Sequence, residues 1–98
     1  MKLPIVLRRV ARAEFDDAAD WYEQRRRGLG AAFTASVHRI LDRIISQPDF
    51  YPVVFQDVRE AIVPGFPYCV YFRKEPARIV VLSVFHTARN PATWQNRA

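Results

Sequence analysis

Phe66-Pro-Tyr-Cys-Val-Tyr-Phe-Arg73 and Ile79-Val-Val-Leu-Ser-Val-Phe-His86 read as two adjacent strands. In the first, Tyr68, Val70 and Phe72 alternate with Cys69, Tyr71 and Arg73, the period-2 pattern of a strand with two distinct faces. In the second, every residue before His86 except Ser83 is apolar, so both faces should be covered and the strand should lie at the centre of a sheet. Lys74-Glu75-Pro76-Ala77 supplies a hairpin loop between them. The apolar run stops abruptly at His86, which places ionisable groups at the rim of a core. In the tail, Thr87-Ala-Arg-Asn-Pro-Ala-Thr-Trp94, Asn90 suits an N-cap and Pro91 a first helical position, so a short final helix is expected through Trp94.

Upstream of this pair, Pro64-Gly65 is a strong turn signal. Before it, Val58, Glu60 and Ile62 alternate with Arg59, Ala61 and Val63. Tyr51 to Phe55 reads as one more short extended stretch, ended by the polar pair Gln56-Asp57. The first half of the chain has a different period. From about Val10, Phe15, Ala18, Ala19 and Tyr22 recur at helical spacing, with Glu23 and Arg27 as an i,i+4 pair and Gly28 as a C-terminal stop. Phe33, Val37, Ile40, Leu41, Ile44 and Ile45 form the apolar stripe of a second helix that Pro48 ends. The short Gly28-Leu29-Gly30 connection makes the two helices an antiparallel hairpin. Leu3-Pro-Ile-Val-Leu7 is a short N-terminal strand, with Pro4 suited to a sheet edge. The expected fold is therefore α+β: an N-terminal strand, a helical hairpin packed on a mostly antiparallel sheet of four to five strands, and a short C-terminal helix, all in one domain over residues 1–98.

Composition narrows the possible functions. No apolar run approaches the ~20 residues that span a bilayer, and the N-terminus lacks the apolar core of a secretory signal, so a cytoplasmic, membrane-free protein is expected. Cys69 is alone and cannot form an internal disulfide. Two histidines, His38 and His86, without an acidic cluster give no metal site, and no cofactor is expected. Of the 15 basic residues only Lys2 and Lys74 are lysine, and the net charge is +5. Arginine suits bidentate contact with carboxylate or phosphate, so an acidic protein or a nucleic acid is the natural partner.

The element order, together with Val58-Arg-Glu-Ala-Ile, Gly-Phe-Pro-Tyr-Cys-Val-Tyr-Phe-Arg and the Val-Phe-His ending of the apolar strand, resembles the RelE/ParE toxin superfamily of bacterial type II toxin–antitoxin systems. Ala13-Glu-Phe-Asp-Asp-Ala-Ala-Asp-Trp-Tyr also looks like the first helix of ParE-type members. The resemblance spans nearly the whole chain. It implies an antitoxin partner, typically a disordered segment that folds onto the toxin. It also implies one of two targets: DNA gyrase for ParE-type members, or the ribosome and its mRNA for RelE-type endoribonucleases. A non-toxic binding module with the same fold is a third reading.

RNA cleavage needs a proton donor or acceptor and cations around the phosphate. Arg59, Arg73, His86 and Arg89 are the candidates, with Arg59 and Arg73 on successive strands and able to face the same side as His86. The cations of RelE-type members are sparse here: Pro67-Tyr68-Cys69 holds none, nor does Tyr51 to Phe55. The residues thus favour a ParE-like, non-hydrolytic gyrase inhibitor. Trp21, Arg25, Arg26, Arg27, His86, Arg89 and Trp94 are the candidates for binding a target or antitoxin. Several have simpler alternatives. Trp94 would pin the last helix to the sheet, His86 would bond a backbone carbonyl, Trp21 would cover the edge of the core, and the three arginines would be a solvated helix end. Cys69 reads as a small buried residue and His38 as a surface one.

Overall fold

The computed structural model describes residues 2–98. The chain runs β1 (Ile5–Leu7), α1 (Arg9–Arg25), α2 (Leu29–Ser46), a 3₁₀ turn (Pro48–Phe50), β2 (Val53–Phe55), β3 (Val58–Ile62), β4 (Tyr68–Lys74), β5 (Ile79–His86) and α3 (Ala92–Gln95). The strands form one sheet in the order β1-β5-β4-β3-β2. β2 to β5 are an antiparallel meander, and β1 lies parallel to β5 with Ile5 opposite Ile79. This is the α+β arrangement expected, with two corrections. The central strand is β4, because β1 returns through the helical hairpin and docks on the outer edge of β5, the kind of crossover a parallel pair requires. The stretch at Tyr51 to Phe55 is extended from Tyr51, directly after the 3₁₀ turn at Pro48–Phe50, but joins the sheet as a strand only from Val53.

Residues 79–85 of β5 are all buried, and two apolar layers account for this. On one face, Phe15 of α1 and Phe33, Val37, Ile40 and Ile44 of α2 pack on Val70, Phe72, Ile79, Val81 and Val84. Burying one such side chain contributes about 1.5–3 kcal/mol. That exceeds any single-residue helix propensity, so packing on the sheet holds the hairpin together. On the other face, Val58, Cys69, Tyr71, Val80, Leu82 and Phe85 are covered by Trp94 of α3. The indole stacks on the Tyr71 ring, with centroids 3.9 Å apart and planes 13° from parallel. α3 starts at Ala92, one residue later than expected, with Pro91 rather than Asn90 at its N-cap, while Asn90 Oδ1 accepts the Ala92 N–H at 3.0 Å just ahead of it.

The turn between the helices departs from the i,i+4 expectation for Glu23. Its carboxylate does not meet Arg27; it accepts the backbone N–H groups of Gly28 and Gly30 at 3.0–3.1 Å. A carboxylate there satisfies orphan amides and meets the positive end of the α2 dipole, which outweighs an exposed ion pair. Gly30 makes the contact possible, because a Cβ at that position would lie 2.6 Å from the Ala19 carbonyl oxygen. The β3–β4 connection follows Pro64-Gly65 as anticipated, with Gly65 at φ +83°. Ser36 Oγ donates to the Pro64 carbonyl (2.7 Å) and ties α2 to that turn.

The β4–β5 ladder contains one irregularity. Tyr71 faces Ser83 but Phe72 faces Val81, which leaves Leu82 without an opposite residue. The β1 pairing reaches only as far as Val81, so among the described residues no strand covers the outer edge of the second half of β5. Side chains close it. Glu14 of α1 accepts the Val84 N–H (3.3 Å), and Arg97 donates to the Leu82 carbonyl (3.4 Å).

Candidate functional site

That edge borders a cleft of about 560 Å³ between α1 and the adjoining ends of β4 and β5. Glu14, Ala18 and Trp21 reach it from one flank of α1, at spacings of four and three residues that bring side chains onto one helix face. Tyr68, at the start of β4, stands opposite His86, at the end of β5, and their rings meet edge-to-face at 5.1 Å. Tyr22 packs against Tyr68 and Phe66, and Arg89 closes the far side. The wall is therefore aromatic and the rim charged.

Each rim group has a defined state. Glu14, with a side chain only 12% exposed, is the hub. Its carboxylate accepts from Ser83 Oγ (2.8 Å), Val84 N, Arg89 Nη1 (3.2 Å), and both terminal nitrogens of Arg97 (3.0 and 3.2 Å). Arg97 is held again by Arg8, which donates to its carbonyl oxygen at 2.8 Å. Arg89 lies over the Phe85 ring, 4.6 Å from its centroid. Burial raises the phenol of Tyr68 above its ordinary value, with smaller contributions from Tyr22 and Glu14 against Arg89, and burial raises that of Tyr22. Both tyrosines are thus neutral hydroxyls at physiological pH, unsuited to act as bases.

Of the residues put forward as cations for phosphate chemistry, only His86 and Arg89 share this cleft. The expected common face for Arg59, Arg73 and His86 is not formed. Arg59 is opposite Phe72, on the helix side of the sheet, and Arg73, next to Phe72 on β4, points to the other side. Arg73 is five residues along β4 from the partner of His86, roughly 16 Å away at 3.3 Å per residue. Both arginines are also engaged. Arg59 donates to the Tyr51 carbonyl (2.6 Å) and pairs with Asp49, and Arg73 Nε donates to Asp57 at 2.9 Å. His86 is half-buried, and its Nδ1 accepts the Ala88 N–H at 3.0 Å. This reverses the polarity of the carbonyl bond anticipated for it, and in the neutral ring it places the proton on Nε2.

The recognition candidates divide in the same way. Trp21 is 50% exposed at the cleft mouth, and the Arg25 guanidinium lies 4.4 Å from its ring centroid. Arg26 and Arg27 are exposed beside it, and among the described residues none of the three pairs with a carboxylate. Trp94 is only 2% exposed and belongs to the core beneath α3, so it offers no surface anchor. Cys69 is buried, as its sequence context suggests. His38 is exposed. Glu14 and Asp17 lie in the Ala13–Tyr22 stretch that resembles a ParE-type first helix, but neither is among the sequence's candidate site residues. The spacing of Glu14 from Ala18 and Trp21 is the available signal, but its partners lie 69 to 83 residues away in the chain. No group of three or more potential metal ligands occurs among the described residues.

A helical hairpin on an antiparallel meander, closed by a parallel N-terminal strand and carrying an aromatic cleft with a charged rim, is a small α+β architecture of the kind the resemblance to RelE/ParE-type proteins implies. Residues 5–91 match the model of the ParE toxin of type II toxin–antitoxin systems (parDE), and the chain belongs to that family. Its fold is similar to a solved chain described as the chromosomal ParDE TA system from P. aeruginosa. The TM-score is 0.77 at 16% identity, covering 87% of this chain and 96% of that one. No curated protein sequence matches it. No helix among the described residues is long and apolar enough to cross a membrane.

Proposed function

We propose that this ParE-family toxin inhibits DNA gyrase by protein–protein contact in the cytoplasm, and that a cognate antitoxin neutralises it by seating a segment in the cleft between α1 and β4–β5. One observation carries the non-hydrolytic reading: the cations available for phosphate chemistry are dispersed. Arg59 and Arg73 serve the far end of the sheet on opposite faces, and Arg89 is neutralised by Glu14. A developing phosphorane charge would meet one histidine and one already paired arginine, too little for electrostatic catalysis. For the antitoxin, the cleft offers aromatic surface with Arg25 against Trp21 at its mouth and the exposed Arg26 and Arg27 next along the chain, which suits an apolar segment bearing carboxylates.

The test is a gyrase supercoiling assay with purified toxin, with and without antitoxin. Inhibition that the antitoxin relieves is expected. Continued supercoiling at large molar excess of folded toxin would reject gyrase as the target. Ribosome-dependent mRNA cleavage is favoured by one feature, the pairing of His86 with Arg89 at the cleft. Transcript cuts abolished by His86→Ala with Arg89→Ala would replace the gyrase reading with that one.

A further inference from the structure

The sheet face opposite the helical hairpin carries a second groove, of about 430 Å³, between β3 and the turn that follows β5. Tyr71, Cys69 and Phe85 make its buried floor, and Ile62, Thr87 and Pro91 its sides. Glu60 and Ile62, two residues apart on β3, project from the same face into it. Ile62 is 67% exposed, the most exposed large apolar side chain in any strand among the described residues.

Glu60 is the distinctive group. The other carboxylates around the sheet are ion-paired: Asp49 with Arg59 and Lys74, Asp57 with Arg73, Glu75 with Arg78, and Glu14 with Arg89 and Arg97. Among the described residues Glu60 meets no cation; its Oε2 accepts the Tyr71 hydroxyl at 2.9 Å. Arg89 borders the groove with its guanidinium over the Phe85 ring (4.6 Å), and there it is already paired with Glu14 (3.2 Å) and makes no contact with Glu60. The field of Glu60 registers in its neighbours. The Cys69 thiol is pushed up to about 11, first by burial and next by the Glu60 charge. A half-buried carboxylate on an aromatic floor favours a cation, because its attraction is less screened than at an open surface. In a chain of net charge +5, this negative spot opposes the overall field, so it selects for one positive side chain rather than for basic proteins in general.

We propose that this groove docks a partner polypeptide segment that places one arginine or lysine on Glu60 and lays an adjacent apolar side chain over Ile62. The chemistry is complementary on both counts, since a long cationic side chain covers apolar surface with its stem while its head reaches the carboxylate. Glu60 and Ile62 line only this groove and not the Trp21–His86 cleft, although the two share Pro67, Tyr68 and Arg89 at their common end.

The test is titration of the isotope-labelled toxin with Ac-Leu-Arg-Leu-NH₂ and, separately, Ac-Leu-Gln-Leu-NH₂, followed by amide chemical shifts. The arginine peptide should shift residues 60–62, Cys69 and Thr87 at millimolar concentration. The glutamine peptide should bind about fivefold more weakly, the scale of one partly screened ion pair. Glu60→Gln, which keeps an acceptor for the Tyr71 hydroxyl, should remove that preference. Ile62→Ser, at an exposed position that leaves the core untouched, should weaken both peptides. Equal binding of the two peptides, a preference that survives Glu60→Gln, shifts confined to Trp21 and His86, or no shifts at all would each overturn the proposal.

Discussion

Ser83 on β5 donates a 2.8 Å hydrogen bond to Glu14 on α1, across 69 residues of chain, at the point where the sheet loses its edge strand. The same carboxylate holds Arg89 and Arg97, so one acid from the first helix fastens the strand, the following turn and the tail. Glu14→Ala leaves two arginines and a backbone amide without their acceptor. It should cost about 2–3 kcal/mol in urea unfolding, toward the lower end for a broken buried pair because Arg89 is half exposed. Amide exchange of residues 92–98 should accelerate more than that of β4.

The two tryptophans should behave in opposite ways. Trp94→Ala opens the core beneath α3 and should destabilise by about 3–5 kcal/mol. Trp94→Phe should lose well under half of that, because it preserves a ring on Tyr71 while removing an indole N–H that has no acceptor among the described residues. Trp21→Ala should leave stability within about 0.5 kcal/mol. It should weaken antitoxin binding by about tenfold or more if the cleft is the docking site. Calorimetry of each variant with the antitoxin, alongside thermal melts, separates the two roles.

Gly30 should tolerate no side chain. Gly30→Ala places a methyl group 2.6 Å from the Ala19 carbonyl oxygen and 2.9 Å from Glu23 Cβ. The helices must separate, at about 1–3 kcal/mol. A melt of this variant unchanged from the parent would mean that the α1–α2 approach is looser than the geometry indicates.

Alkaline pH should destabilise the second core layer. Burial raises the Cys69 thiol to about 11, and burial with the bond to Glu60 raises the Tyr71 phenol further. Both groups are neutral when protonated, so the folded state holds these protons more tightly than the unfolded chain does. For Cys69, stability is fully present below the ordinary thiol range near 8.5 and falls as pH rises through about 11, by at most about 1.4 kcal/mol per pH unit. Melts from pH 7 to 11 should show this decline, and Cys69→Ser or Cys69→Ala should remove the Cys69 share.

Period and punctuation made most of the fold readable. The alternation around Val70, the unbroken apolar run from Ile79 and the stripe from Phe33 each reflect burial that a residue's own neighbours disclose. The order of strands was less accessible, since an apolar run shows that β5 is covered on both faces but not that β1 forms its outer neighbour. Alternation alone does not show that Arg59 and Arg73 lie on opposite faces, because facing depends on register, and a shift of one residue moves a side chain to the other side of the sheet. Within the cleft, Trp21, His86 and Arg89 were legible as residue types at an apolar boundary. Glu14 was not, because its importance comes from Ser83, Val84, Arg89 and Arg97, none of which is near it in the chain.

The parallel pairing of β1 with β5 also sets an order of events during synthesis. Ile5 is made well before its partner Ile79, and Glu14 is made 83 residues before its anchor Arg97. At ordinary elongation rates the first strand waits roughly 4–15 s for its neighbour. Until then the helical hairpin has no completed sheet on which to bury its apolar face. A nascent or prematurely terminated chain therefore lacks both the closed sheet and the cleft, and the finished surfaces arise in a late, nearly simultaneous step.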